Sequence, residues 1–498
     1  MIGNQDRWQE DLFVACPLRD LIPDDHILKR VDKILDLSWL REEVKDCYCL
    51  DNGRPGIDPE AAVRLMLAGL FQGIIHDRRL MREAQVNLAI RWFAGYRLDE
   101  PLPHHSSLTR IRQRWGPERF KRVFQRTVAG CVDAGLVNGE TVHVDATLIR
   151  ADVSWASLAE RHVAQVLKEN ESDNGPEDPK GGHGPGGGRS RSRKSRKYST
   201  TDPDATLATG NKKVRMEPSF KQHTAVDDKA GVIVDVAATT GEASEGVGLV
   251  SQLDRVQENT GRKPKTVTGD AAYAHSGNYA ELENEGVDAV IPPQSQQRKP
   301  KRIPARRFKY DGKHKLVRCP AGKLLRRSGW RPSRWIYRAR LCDCRACPLR
   351  PRCVPPSAKV RTIGIAHGHE ALLRARRRHQ KGWDEAARDV YRRHRWRVEG
   401  VHGEAKKWHG LGRAIRRGLA NVAIQVYLTA AVINLKRLAA WASPPQPLAA
   451  AMRRLTGSLR MVLHCLWHLT QPRKVPSQPQ RPIGVRLGEK PHFVQLAA

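Results

Sequence analysis

The chain has 498 residues, with 87 Lys and Arg against 53 Asp and Glu, for a formal net charge of +34. Such an excess repels itself in the compact state and is usually matched to a polyanion: DNA, RNA or an anionic membrane surface. The membrane is the weakest of these, because the best apolar run, Val422 to Ile433, is interrupted by Gln425 and Thr429 and is too short to span a bilayer. Met1 to Glu10 is polar and has no signal-peptide core, so a cytoplasmic location is expected. In that compartment the ten cysteines read as free or metal-bound rather than disulfide-bonded.

From Asp25 to Val137 the patterning predicts helices. Asp58-Pro59 is a helix start, an N-cap followed by proline at the first helical position, and Val63, Met66, Leu67, Leu70, Phe71 and Ile74 then recur at helical spacing. A second run holds Leu88, Ile90, Trp92 and Phe93. A third begins near Ser106-Ser107 and stops at Gly116-Pro117. Arg110, Arg112 and Arg114 on that third run suit either a helix-turn-helix reader of DNA or the solvated basic face of a plain bundle. At Thr141 the period changes: Val142, Val144, Ala146 and Leu148 alternate with His143, Asp145 and Thr147, the signature of a strand that Asp145 is expected to close. Residues 169–197 are Gly-rich and then carry the basic run Arg189 to Lys197, a composition expected to be disordered and to touch phosphates diffusely. His223 to Val226 and Val232 to Val236 form an expected hairpin through Asp227 to Gly231. A helix follows over Val247 to Asn259, then strands at Lys265 to Gly269 and Ala289 to Ile291. From Arg298 to Arg340 there are 17 Lys or Arg against one acid, Asp311, interleaved with Phe308, Tyr310, Trp330, Trp335 and Tyr337. Helical patterning returns from Trp383 to Leu438, and a Pro-rich tail closes the chain. The expected organisation is therefore an all-α region (1–138), a mixed α/β core (139–293 and 379–442) interrupted by a small basic, cysteine-containing insertion (294–378), and a tail (443–498).

Three carboxylates stand out. Asp145 and Asp270 sit on or after strands. Glu399 lies on a helix where Arg395, His402 and Lys406, at offsets of four, three and seven, share its face. Brought together they would repel at neutral pH, and a divalent cation is the usual remedy. Two Mg²⁺ (or Mn²⁺) ions on such a set activate a water or a 3′-hydroxyl and stabilise the leaving oxygen, while Arg395 and Lys406 lie where a DNA phosphate would pass. Asp227 and Asp228 are alternatives, but their place in a hairpin turn favours a structural role. Glu404 is about 140° round the helix from Glu399 and cannot face the same ions.

The stretch Tyr391-Arg-Arg-His-Arg395-Trp-Arg-Val-Glu399-Gly-Val-His-Gly-Glu-Ala-Lys406 resembles the Tyr/Arg/Glu/Lys signature of DDE transposases of bacterial insertion sequences. Arg395, Glu399 and Lys406 match its gaps, whereas Arg392 occupies the tyrosine position and Tyr391 falls one residue early. His143-Val-Asp145 resembles the first-aspartate strand of that family, and Gly269-Asp270-Ala-Ala-Tyr273 its second-aspartate motif. Arg416-Arg-Gly418 and Asn434-Leu-Lys436 resemble the end of the same domain. Thr201-Asp-Pro-Asp204 is also similar to the family, with no role attached. Gly53-Arg-Pro55, Arg91-Trp92-Phe93 and His104-His-Ser-Ser107 resemble its helical N-terminal domain. The resemblance implies a ribonuclease H-like core and cleavage and strand transfer on double-stranded DNA. The sites would be Asp145, Asp270 and Glu399 holding Mg²⁺, acting on terminal inverted repeats as a homodimer. A nuclease that only hydrolyses DNA and a non-catalytic DNA-binding descendant remain the competing readings.

Cys319, Cys344, Cys347 and Cys353, with Cys342 as a substitute for one of them, supply enough thiolates for a tetrahedral Zn²⁺ site, or else remain unliganded thiols. Trp330 and Trp335 either stack on an unpaired base or pack within the insertion.

Overall fold

The structure is a computed structural model that describes residues 16–49, 56–154, 157–160, 197–209, 216–294, 302–331 and 334–442. Gly53-Arg-Pro55, the basic linker through residue 196, Cys465 and the tail from 443 lie outside these residues.

The N-terminal region is helical: α1 (Ile27–Asp32), α2 (Leu40–Glu43), α3 (Pro59–Phe71), α4 (Asp77–Val86), α5 (Leu88–Ala94) and α6 (His105–Asp133). Side-chain caps set the starts. The Asp58 carboxylate accepts from the N–H groups of Glu60 (2.7 Å) and Ala61 (3.2 Å), satisfying donors that α3 leaves unpaired. The Asn87 side chain does the same for Ile90 on α5, which Gly95 ends in the left-handed conformation. The expected stop at Gly116 is a kink: Gly116 has φ 69° and ψ 175°, and Pro117 restarts the helix, which continues to Asp133.

The mixed sheet follows. Its strands are β1 (Thr141–Arg150), β2 (Leu158–Glu160), β3 (Lys197–Ser199), β4 (Thr206–Ala208), β5 (Glu217–Asp227), β6 (Ile233–Thr240), β7 (Thr266–Gly269) and β8 (Asp288–Val290). Across its centre the order is β6-β5-β1-β7-β8, antiparallel from β6 to β1 and parallel from β1 to β8, and β4, β3 and β2 continue beside β5. Helices α7 (Leu249–Thr260) and α8 (Ser276–Asn284) make the connections. Strand β1 runs on to Arg150, so Asp145 lies in mid-strand and does not close it. Burial of both faces explains the difference: His143 is as buried as Val142 and Val144, and the alternation carries no end signal.

The insertion forms a second sheet, β9 (Lys309–Asp311), β10 (Leu316–Arg318), β11 (Leu324–Arg331), β12 (Arg334–Arg338) and β13 (Thr362–Ala366), antiparallel throughout, with α9 (Leu341–Arg345) and α10 (Arg350–Cys353) between β12 and β13. Then come α11 (His369–Lys381), α12 (Glu385–Trp408) and α13 (Leu419–Ala442). The expected insertion boundary at 378 falls inside α11. That helix packs on α8 and pairs Arg374 with Glu283 and Arg378 with Asp288.

Motifs without an assigned role become fasteners. Asp202 is buried and its carboxylate accepts from the Gly418 N–H at 3.2 Å, while Asp204 accepts from the Leu419 N–H at 2.9 Å. The Thr201-Asp-Pro-Asp204 stretch thus caps the start of α13 from far away in sequence. The buried Asn434 amide docks α13 on β6, accepting from the Ile233 N–H and donating to the Ile233 carbonyl, both at 2.9 Å. By length and composition α13 could cross a membrane, but 72% of its apolar window is buried in the protein, and it is a core helix.

One hydrophobic core runs from Ile22 through the sheet to Ala439, so the helical region and the sheet are not separately cored. A buried ion cluster crosses the same junction. Asp77 on α4 accepts from Arg112 on α6 (2.8 and 3.0 Å) and from Arg416. Arg112 is 7% exposed, and its expected place on a DNA-reading face is corrected accordingly. Burial works against the Asp77 carboxylate, but Arg112 and Arg416 hold its pKa below the usual value. Asp77→Asn leaves two guanidinium groups without their counter-charge, and it is expected to destabilise the protein by ~3–5 kcal/mol. Chemical denaturation measures this; a change within ~0.5 kcal/mol, the range of an ordinary surface substitution, would show that the cluster contributes nothing.

Candidate active site

Strand register brings the two aspartates level. Val144 of β1 pairs with Gly269 of β7 in the parallel ladder, so Asp145 and Asp270 are the next residues on adjacent strands. The fit at Gly269 is close: a Cβ there would meet Val144 Cγ2 at 3.1 Å and Tyr273 Cδ2 at 3.2 Å. Asp270 then turns out of the sheet, accepting from the Ala272 N–H at 2.8 Å. Helix α12 lies across β1 and β7 and carries Glu399, which is exposed and accepts from Arg395 Nε at 3.3 Å.

Electrostatics register the convergence. The Asp145 pKa is raised from 3.8 to about 7, chiefly by burial and further by Asp270, Glu245 and Glu399. Partial burial lowers the Lys406 ammonium pKa, and Asp145 opposes that change. Tyr273 is fully buried and its hydroxyl has no hydrogen-bond partner; burial, then Asp145, Glu245 and Asp270, push its pKa well above the usual value. Half-buried Asp145 and Glu245, exposed Asp270 and Glu399 and an unpartnered hydroxyl are hard-oxygen donors of the kind that suits a divalent cation and its waters. Among the described residues no group of three or more His, Cys, Asp or Glu side chains is already gathered to hold an ion.

The position of α12 is set by three polar contacts along its length. Asp228 accepts from Arg393 Nε (2.9 Å) and Nη2 (2.8 Å) and pairs with His143 Nε2 (3.0 Å), two residues before Asp145. Burial opposes its ionisation, yet these bonds hold its pKa below the usual value. His402 is buried, with Nε2 3.0 Å from Thr224 Oγ1 and Nδ1 3.6 Å from Asp145 Oδ2. Burial lowers its pKa to about 3, so it is neutral at physiological pH. Glu404 joins Lys436, Arg437 and His409. It faces away from the aspartates, towards α13. Asp227 is the buried last residue of β5, accepting from the N–H groups of Gly139 and Lys229 at 2.9 Å.

Of the two candidates for the tyrosine position, Arg392 pairs with Asp389 and is well exposed. Tyr391 instead stacks on His394 and meets Trp383 edge to face, and its hydroxyl pKa is raised by burial and then by Asp270. Sequence reasoning missed Glu245, which lies in an irregular Gly-rich stretch and pairs with Lys221 at 3.0 Å. No periodicity marks it. Tyr273 was visible only as the last residue of a motif.

Two family models match the chain. One, described as "Transposase domain (DUF772)", covers residues 17–114, and the other, "Transposase DDE domain", covers residues 318–439. The second includes Arg395, Glu399 and Lys406 and leaves Asp145 and Asp270 outside. Two transposase domains in one chain define a transposase. More particularly, the two matches, on separate parts of the chain, support an insertion-sequence DDE transposase. Among curated proteins none matches it. A cryo-EM structure of the piggyBac transposase synaptic complex with hairpin DNA is similar at 11% identity, covering 91% of this chain and 84% of that one. Its TM-score is 0.27, too low to bear on the fold.

The raised Asp145 pKa has a consequence for stability. Between about 4 and 7 the folded state keeps a proton that the unfolded chain gives up, so this group's contribution falls as pH rises through that window. Asp145→Asn cannot ionise. In chelator-treated protein it should match the wild type near pH 4 and exceed it above pH 7 by roughly 2–4 kcal/mol, at ~1.4 kcal/mol per unit. Thermal melts across pH read this directly, and parallel curves for the two proteins would contradict a buried, crowded carboxyl.

Proposed function

We propose that this transposase cuts and joins DNA at a site made by Asp145, Asp270 and Glu399 on a ribonuclease H-like core. The observation that carries the reading is the β1–β7 register, which sets Asp145 and Asp270 level under the helix of Glu399; burial and the charges of Asp270, Glu245 and Glu399 raise the Asp145 pKa accordingly. The core assignment is supported by the strand order β6-β5-β1-β7-β8, three antiparallel strands followed by two parallel ones, with the first aspartate on the central strand.

The three carboxylates, with Tyr273 behind them, would hold two Mg²⁺ or Mn²⁺ ions. When bound, these ions supply Lewis-acid activation of a water or 3′-hydroxyl and stabilise the leaving oxygen. The chain's own residues do the rest. Arg395, exposed beside Glu399, offers a guanidinium to a non-bridging phosphate oxygen. Lys406, two turns on, approaches the same phosphate from the side of Asp145. His402 stays neutral and places no competing cation against Asp145. Asp228 and Glu404 anchor α12 so that Glu399 is presented at a fixed distance from β1. The partner is double-stranded DNA, the terminal inverted repeats and a target, and two copies of the chain hold the two ends. The exposed hairpin of β11 and β12 extends the contact. Trp330 and Trp335 lie edge to face across it at 4.7 Å, with Arg327 on the Trp335 ring.

Asp145→Asn, Asp270→Asn and Glu399→Gln should each abolish cleavage of a duplex carrying the element's ends while leaving its binding largely intact, because the phosphate contacts remain. Near-normal cleavage by any one of them removes that residue from the site. Lys406→Ala should slow cleavage at saturating protein on the order of 100-fold, the equivalent of ~2.7 kcal/mol at the reacting phosphate. A change in affinity alone, with saturated cleavage intact, would make α12 a general DNA-binding surface instead.

A further inference from the structure

The insertion is cored separately from the rest of the protein. Phe308, Val317, Leu325, Tyr337, Ile363 and Ile365 form a small cluster with Cys344 and Cys353. This is little apolar surface for a five-stranded sheet whose outer positions are largely Lys and Arg, and a unit of that size generally needs a staple.

Four thiols from separate segments meet at one side of this cluster. Cys319 follows β10 in a tight turn, where its N–H donates to the Lys323 carbonyl (2.8 Å) and its carbonyl accepts from the Gly322 N–H (2.9 Å). Gly322 has φ +78°, a conformation that favours glycine. The Lys323 N–H then donates to Cys319 Sγ at 3.3 Å. Cys344 lies on α9, Cys347 just beyond it, and Cys353 ends α10. All four border one cavity of about 30 Å³, enclosed further by Phe308, Leu325 and Val354. Space of that size exceeds what one water needs, yet the apolar walls give a water few partners. Cys342, exposed on α9, does not border it.

We propose that Cys319, Cys344, Cys347 and Cys353 bind one structural Zn²⁺ as a four-thiolate site that pins α9 and α10 to the basic sheet. Zinc takes four sulfurs tetrahedrally at about 2.3 Å, and a closed set of this kind serves structure rather than catalysis. The sulfurs reach the ion by turning about χ1 into the cavity, since they are not gathered to ligand spacing without it. Burial raises the Cys353 thiol pKa and Arg361 lowers it, while Cys344, Cys347 and Cys319 raise it again. Zinc takes cysteine as thiolate, so binding at such a site releases protons. The assignment selects Cys353 over Cys342 as the fourth ligand. It also gives the β11–β12 hairpin, with Trp330 and Trp335, a rigid base.

Full-length protein purified without chelator should contain about one Zn²⁺ per chain by elemental analysis, the count for a single tetrahedral site. A thiol-modifying reagent should release it. Cys342→Ser should keep the metal and Cys347→Ser should lose it. If Cys347→Ser does not fold, wild-type protein reconstituted with Co²⁺ decides: thiolate charge-transfer bands with tetrahedral d–d bands support the site, and an octahedral spectrum overturns it. Absence of zinc from the wild type, or its loss from Cys342→Ser, overturns it as well. None of these readouts involves DNA cleavage, so they stand or fall apart from the carboxylate site.

Discussion

On the proposed reading Asp145, Asp270 and Glu399, from distant parts of the chain, act near one point, and folding has to oppose their repulsion before any cation arrives. The fold meets this constraint by fastening α12 with charges of its own. Asp228 takes Arg393 and His143 at the start of the helix, and Glu404 takes Lys436 and Arg437 towards its end. Glu399 lies between these two anchors. Its position relative to β1 is fixed by anions that are paired and kept ionised, while the anions at the site itself are left under-compensated. The contrast between neighbouring carboxylates is thus a property of the fold: Asp228 and Glu404 have cationic partners, whereas the charges of Asp270, Glu245 and Glu399 bear on Asp145.

That same division explains what could be read from the sequence. Spacing along one helix separated Glu399 from Glu404, because helical geometry is local and regular. The strands around Asp145 and Asp270 were legible through their β-branched runs, and α3 through its cap and period. Long-range partners were not legible. Nothing local ties Asp202 and Asp204 to the start of α13, or Asn434 to the Ile233 backbone, since those bonds exist only once the chain has folded. Arg112 looked like a surface charge because arginine is usually exposed, and only the position of Asp77 and Arg416 makes its burial tolerable. Glu245 lay outside every periodic segment and had no signal at all.

The junction between the helical region and the sheet bears on how DNA would be handled. A DNA-reading module on a free linker could bind anywhere within reach of the catalytic carboxylates. Here α6 packs along α13, Arg30 donates to the Ala439 carbonyl at 2.7 Å, and Arg416 crosses to Asp77. On the proposed reading, duplex gripped by the helices would be held in register with β1 and α12, because the two regions share one core. Sequence composition alone suggested separable units, and packing argues for one.

Charge is distributed differently in the insertion. On α11 the arginines are answered within the protein, Arg374 by Glu283 and Arg378 by Asp288. Between Arg298 and Arg340 the segment supplies one acid of its own, Asp311, and it pairs with His314. The antiparallel sheet spreads these cations over a surface with little apolar material beneath, so repulsion among them works against a small core. Two counter-charges relieve it in different places. A cation-binding thiolate cluster would tighten the base of the sheet from within, and phosphates of a bound duplex would neutralise its outer face with release of counterions.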